Sequence, residues 1–441
     1  MAYLIGVLVV VVGVAVSIGL HEIGHLVPAK KFGVKVTQYM IGFGPTLFSR
    51  KRGETEYGVK AIPLGGYIRM IGMFPPQKPG EKKRRRPGTT SLWSSLADEA
   101  RDLSAQEVPE GEEHRAFYTL SVPKKLAVMF GGPFMNLVLA IVILAVVMTG
   151  IGLPAPSTTV GSVSECVVEV GEERDCRADD PQAPAHAAGV KPGDELVSLD
   201  GQKLDSWDDF SQKIRATSST ASLVVNRDGE EKDLTIEPLV MERETIDAEG
   251  NVVVDDQGNA LTEEVGFAGI GSQTKAQRQP ITEVPAVMGE ALVQTGRVVL
   301  TLPQRMIDVS KAAFGSEDRD PNGPVGVVGV GRFAGEIAAI DAEDYGMVDR
   351  VSGLLGILAS LNLALFVFNM IPLLPLDGGH IAGALWEGLR RRVARLRKRP
   401  DPGPVDVAKA MPLAYGVFVL VAVMSVLLIY ADIVKPITLS G

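Results

Sequence analysis

The chain of 441 residues has only two cysteines. That excludes a small disulfide-built scaffold, which relies on several bridges. It lacks a positive balance. Against 44 Lys and Arg stand 53 Asp and Glu, a net charge of −9, which argues against a nucleic-acid binder. It is not short of apolar residues. At 46% hydrophobic it carries too much apolar side chain for a disordered polymer. The most informative absence is local, because four stretches hold no charge at all. They are Tyr3–Leu20, Leu126–Leu153, Gly353–Leu374 and Met411–Ala431. Each is long enough to cross about 30 Å of hydrocarbon as a helix. The first lacks the basic flank and cleavage site of a signal peptide, so it is expected to remain in the mature chain.

The missing charge is concentrated between these runs. Residues 28–123 carry 16 Lys and Arg against 10 Asp and Glu, and residues 386–411 carry 8 against 3. Residues 153–352 carry 17 against 37. Basic loops stay inside, so 31–123 and 386–411 are expected in the cytosol. Both termini and the acidic segment are expected outside. Cys166 and Cys176 fall in that outside segment, where an oxidising compartment permits a bridge.

Ionisable groups at membrane depth are costly and point to function. The first run ends in His21-Glu22-Ile23-Gly24-His25. Residues i and i+4 share a helix face, so both imidazoles can address one zinc ion. The glutamate between them can serve as general base toward water. Catalytic zinc usually takes a third protein ligand. The third run closes in Asn369-Met370-Ile371-Pro372-Leu373-Leu374-Pro375-Leu376-Asp377-Gly378-Gly379-His380. Its prolines break a helix, and a broken helix at this depth is tolerated where it lines a cavity. Asp377 is therefore the expected third ligand, with His380 in a supporting role. Asn369 is the candidate donor to a developing oxyanion. Asn362, two turns earlier, is assigned to helix–helix hydrogen bonding.

These motifs resemble the site-2 protease family of intramembrane zinc metalloproteases. Gly131-Gly132-Pro133-Phe134-Met135-Asn136 is similar to that family's Gly-Pro-x-x-Asn element. Ala187–Gly201, with turns at Pro192-Gly193-Asp194 and Asp200-Gly201, resembles a PDZ element. The order of parts resembles the regulator of sigma-E protease branch in its single-PDZ, actinobacterial form. The resemblance implies a polytopic α-helical membrane protein with four transmembrane helices, a membrane-associated β-sheet and one extracytoplasmic PDZ domain. It implies Zn2+ on His21, His25 and Asp377, with Glu22 as base and Asn369 near the oxyanion. The implied partners are the bilayer and a single-span membrane protein, typically an anti-sigma factor already cut once. No nucleic acid is expected, and a PDZ ligand stays open beside a size-filter role. Two other readings are a catalytically inactive PDZ-bearing adaptor and a metal transporter. Retention of all four site residues disfavours the first, and the glutamate between the histidines disfavours the second.

The resulting division is as follows. Residues 1–30 form the first span, and 31–123 form a cytosolic segment with a sheet at about 36–73 and a charged flexible loop after it. The second span is 124–153, the PDZ domain with an acidic insertion is 154–280, and an amphipathic membrane-surface segment is 281–352. The third span is 353–385, the basic loop is 386–411, and the last span is 412–433. A sheet beside the zinc could hold an unwound substrate by strand addition. Gly323–Gly335 lacks a phosphate-loop Lys-Ser/Thr pair and is not read as a nucleotide site.

Overall fold

The computed structural model describes residues 1–76, 92–168, 176–177, 180–245, 261–340 and 346–439. It divides into two units, Met1–Ile151 with Gln279–Gly441, and Gly152–Arg278.

The first unit is mainly helical because its uncharged runs satisfy every backbone group within the helix. Four helices are long and apolar enough to cross a membrane, spanning Ala2–Lys31, Val122–Ile151, Met347–Asn369 and Val407–Val434. The first is α1 (Ala2–Lys31). It leads into β1 (Val36–Arg52) and β2 (Thr55–Met70), a two-stranded sheet. Both strands are long and bent, so residues 38–41 face 66–69 on one side and 56–59 on the other. The 66–70 edge pairs with no further strand among the described residues.

Between the sheet and the second long helix, residues 92–106 form helix α2. This corrects the flexible loop expected there. Leu96, Ala100 and Leu103 recur at helical spacing, but the charges around them obscure the pattern. The basic run Lys82–Arg86 lies outside the described residues. The second long helix, α3 (Val122–Ala145), ends in a π-helical turn, Val146–Ile151.

The second unit is a β-fold. Its sheet runs β10 (Ile270–Gln277), β3 (Leu153–Val163), β4 (Glu195–Leu199), β6 (Ala221–Arg227), β7 (Glu230–Ile236), with β5 (Gln202–Lys203) on β4. Helices α4 (Pro184–Ala187) and α5 (Trp207–Arg215) and the hairpin of β8 (Leu239–Glu244) and β9 (Thr262–Phe267) complete it. Phe210 and Ile214 of α5 pack on Leu196, Leu223, Val225 and Ile236 in one core. Ser206 Oγ caps α5 by accepting from the Asp209 amide at 3.1 Å. Cys166 and Cys176 are joined as a disulfide. Asp194 accepts from the Lys191 amide at 2.8 Å and from Arg227 at 2.7 Å. Burial alone would raise its carboxyl. Arg227 and that amide outweigh burial and hold it below the usual range. Residues 246–260 of the expected acidic insertion lie outside the described residues.

Back in the first unit, 281–352 holds two helices, α6 (Val284–Phe314) and α7 (Val327–Ala339). Met288 of α6 joins Ala140 and Leu363 in one cluster, and Val309 and Ala313 join Ala431 in another. One face of α6 therefore packs on the long helices. The glycines near α7 serve helix packing and a cap: Gly326 and Gly329 amides donate to Asp432 at 2.9 and 2.8 Å. Arg319 pairs with the same carboxylate at 2.9 Å. The third long helix, α8 (Met347–Asn369), stops at the predicted break. A new helix, α9 (Asp377–Leu396), starts on the acid itself. The span drawn over 353–385 is thus two helices, and the basic loop is helical as far as Leu396. The last is α10 (Met411–Val434).

Candidate metal centre

The centre forms where α1, α3 and the start of α9 meet. His21 and His25 lie one turn apart on α1, and their Nε2 atoms are 3.2 Å apart. Asp377 Oδ2 is 3.4 Å from each. The three potential ligand atoms lie within 4.8 Å of one another. Zinc bonds of about 2.0–2.2 Å in a tetrahedron place ligand atoms roughly 3.3–3.6 Å apart. The triangle in the protein, with sides of 3.2, 3.4 and 3.4 Å, is close to that size. Asp377 sits in the first turn of α9, where the helix dipole favours a carboxylate.

The far side of each ring is also held. His25 Nδ1 lies 2.7 Å from the Val128 carbonyl, so it donates there and leaves Nε2 free for metal. His21 Nδ1 lies 3.1 Å from the Asn136 amide nitrogen, while Asn136 Oδ1 is buried without a partner. Amide orientation is an assignment. Turning this amide by 180° gives Oδ1 to the His21 Nδ1 proton and frees the other nitrogen toward the same point. Such outer hydrogen bonds commonly fix metal-binding histidines. The donor set fits zinc.

Close helix approach makes the site possible. A Cβ at Gly24 would meet the Gly131 carbonyl, and one at Gly131 would meet the Gly24 carbonyl. A Cβ at Gly132 would collide with Nε2 of both histidines. Only glycine fits where α3 passes the two rings.

The three residues open onto a cavity of about 400 Å3, which Glu22, Asn369 and His380 also line. Glu22 is buried, and its Cγ lies near Gly66 of β2. The ring of His380 lies 6.4 Å from that of Phe74. Gly65, Gly66, Tyr67, Ile68 and Met70 bring the unpaired edge of β2 to the same cavity. Asn362 Nδ2 instead donates to Ser17 Oγ at 2.9 Å and ties α8 to α1. Sequence reasoning misses the role of Asn136. The Gly-Pro-x-x-Asn element marks the residue, but its partner is 115 positions away.

The model of peptidase family M50 matches residues 9–400. The chain belongs to this family, the site-2 proteases. Zinc metalloprotease Rip1 of Mycobacterium tuberculosis is 32% identical over 445 residues, covering 100% of both chains. The Rip1 of Mycolicibacterium smegmatis is 31% identical over 452 residues, again covering 100% of both. Metalloprotease MmpA of Caulobacter vibrioides is 26% identical, over 89% of this chain and 90% of its own. The chain is an intramembrane zinc metalloprotease, with Zn2+ as its cofactor.

Proposed function

We propose that His21, His25 and Asp377 hold the zinc and that Glu22 is the catalytic base, acting on the transmembrane segment of a single-span protein. The observation that carries this is the ligand triangle opening onto a cavity bordered by Glu22 and a free strand edge. Zinc, when bound, polarises the scissile carbonyl and makes water a better nucleophile at neutral pH. Glu22 takes the proton of the attacking water and passes it to the leaving amine. The Asn369 amide donates to the carbonyl oxygen as it gains charge. A helical substrate hides its peptide groups in its own hydrogen bonds. The 66–70 edge holds the unwound stretch by strand addition.

Four spans and segregated charge support cytosolic placement of 31–123 and 386–411, with both termini and the 152–278 unit outside the plasma membrane. The sequence of Ala187–Gly201 supports a PDZ reading of that unit. Its helices and sheet are compatible with one, and it serves as a size filter or a tail-binding module. An anti-sigma factor trimmed by a first protease is the substrate class that this arrangement suits.

The test is Glu22→Gln. This variant retains stoichiometric zinc and loses cleavage by a factor of about 100 or more, the usual scale for a general base. In cells it accumulates single-span stubs, which a membrane proteome comparison reads. Undiminished cleavage by the variant overturns the assignment of Glu22.

A further inference from the structure

The catalytic cavity is continued along its strand edge. Ile68, Met70 and Met73 line it, and they also line a second cavity of about 310 Å3. Phe74, α2 and the start of α10 wall this second hollow. Four steps from Gly66 to Met70 cover about 13 Å of strand, so one extended chain lying on the edge passes from the metal ligands into it.

Helix α2 is anchored above the strand end. Arg101 grips Asp406 at 2.6 and 3.1 Å, Arg69 pairs with Glu107 at 2.7 Å, and the Phe74 amide donates to Ser104 Oγ at 3.0 Å. Toward the hollow it presents Glu99 and Glu107 beside apolar side chains, Glu107 being paired with Arg69, which lines the hollow as well. Residues 92–107 contain Asp98, Glu99, Asp102 and Glu107 against Arg101 alone. The Arg101 guanidinium is engaged by Asp98 and Asp406. Glu99 is exposed and lines the hollow.

We propose that this second hollow receives the cytosolic flank of the substrate and that α2 selects flanks rich in Lys and Arg. The inference rests on the protease reading and topology above. The cytosolic ends of membrane spans are generally enriched in Lys and Arg. That charge is complementary to α2, while the apolar members of the wall, Leu96, Leu103 and Tyr415, cover the side-chain stems. The substrate is therefore read twice, by its ability to unwind at the metal and by its charge beyond the membrane.

The probes are three synthetic single-span peptides with one span and cytosolic flanks of four lysines, four serines or four glutamates. They are presented to the full chain in liposomes. Exposed ion pairs are individually weak, so kcat/KM is expected to fall about tenfold from the lysine to the glutamate flank, chiefly through KM. Added salt narrows the gap. Glu99→Lys brings it to about threefold or less. Equal kcat/KM for all three flanks, or a preference that Glu99→Lys leaves intact, overturns the proposal. A second measurement does not depend on turnover. In Glu22→Gln, a photoreactive residue replacing Leu103 crosslinks the lysine flank. Crosslinks confined to the apolar span overturn the proposal. Failure of the protease reading looks different, since the serine-flank peptide is then captured but never cleaved by the wild type.

Discussion

Gly132 occupies the gap through which α3 passes the two imidazoles. Gly132→Ala is expected to lower bound zinc well below one per chain by elemental analysis and to abolish proteolysis. Asn136→Leu removes the outer hold on His21 and should weaken zinc about 10–100-fold, read by competition with a chelator. These two residues mark the limit of sequence reading at this scale. The His21–His25 pair was legible because five consecutive residues on one helix define its geometry. Asp377 was legible because an acid that closes an uncharged run at membrane depth is costly unless it serves a site. The partnership of Asn136 with His21 depends on how two helices cross, and no local pattern records that.

Elements were legible where apolar periodicity dominated and hidden where charge did. The four long helices and the sheet at 36–73 follow from their runs, whereas α2 does not. Its position depends on the distant Asp406. Arg101→Ala should release α2, and hydrogen exchange across 92–106 should rise while exchange in α1 and α3 stays unchanged. In the 152–278 unit, the turn before β4 hangs on Asp194 and Arg227. The Asp194 carboxyl titrates below its ordinary value in the folded unit. Its stabilisation is therefore complete above about pH 4, the ordinary value, and is lost as pH falls through the lower folded one. Acid should thus raise hydrogen exchange around 191–196. Arg227→Met leaves the carboxylate buried without its partner and should cost about 3 kcal/mol in that unit at neutral pH.

At the scale of the molecule, the disulfide has a practical use. Both cysteines are bridged and no free one remains, so an introduced cysteine is the sole reactive thiol. Glu110→Cys and Arg397→Cys are expected to react with a membrane-impermeant maleimide only when it has access to the cytosolic face. Reaction of both from outside reverses the orientation. The order of parts along the chain has a temporal meaning. His21 and His25 enter the bilayer with the first span, while Asp377 follows some 350 residues later. On the proposed ligand set, a chain still being synthesised holds two of the three ligands and no complete site. A chain truncated before Asp377 is therefore expected to be proteolytically inert, which activity of such a truncation in liposomes checks.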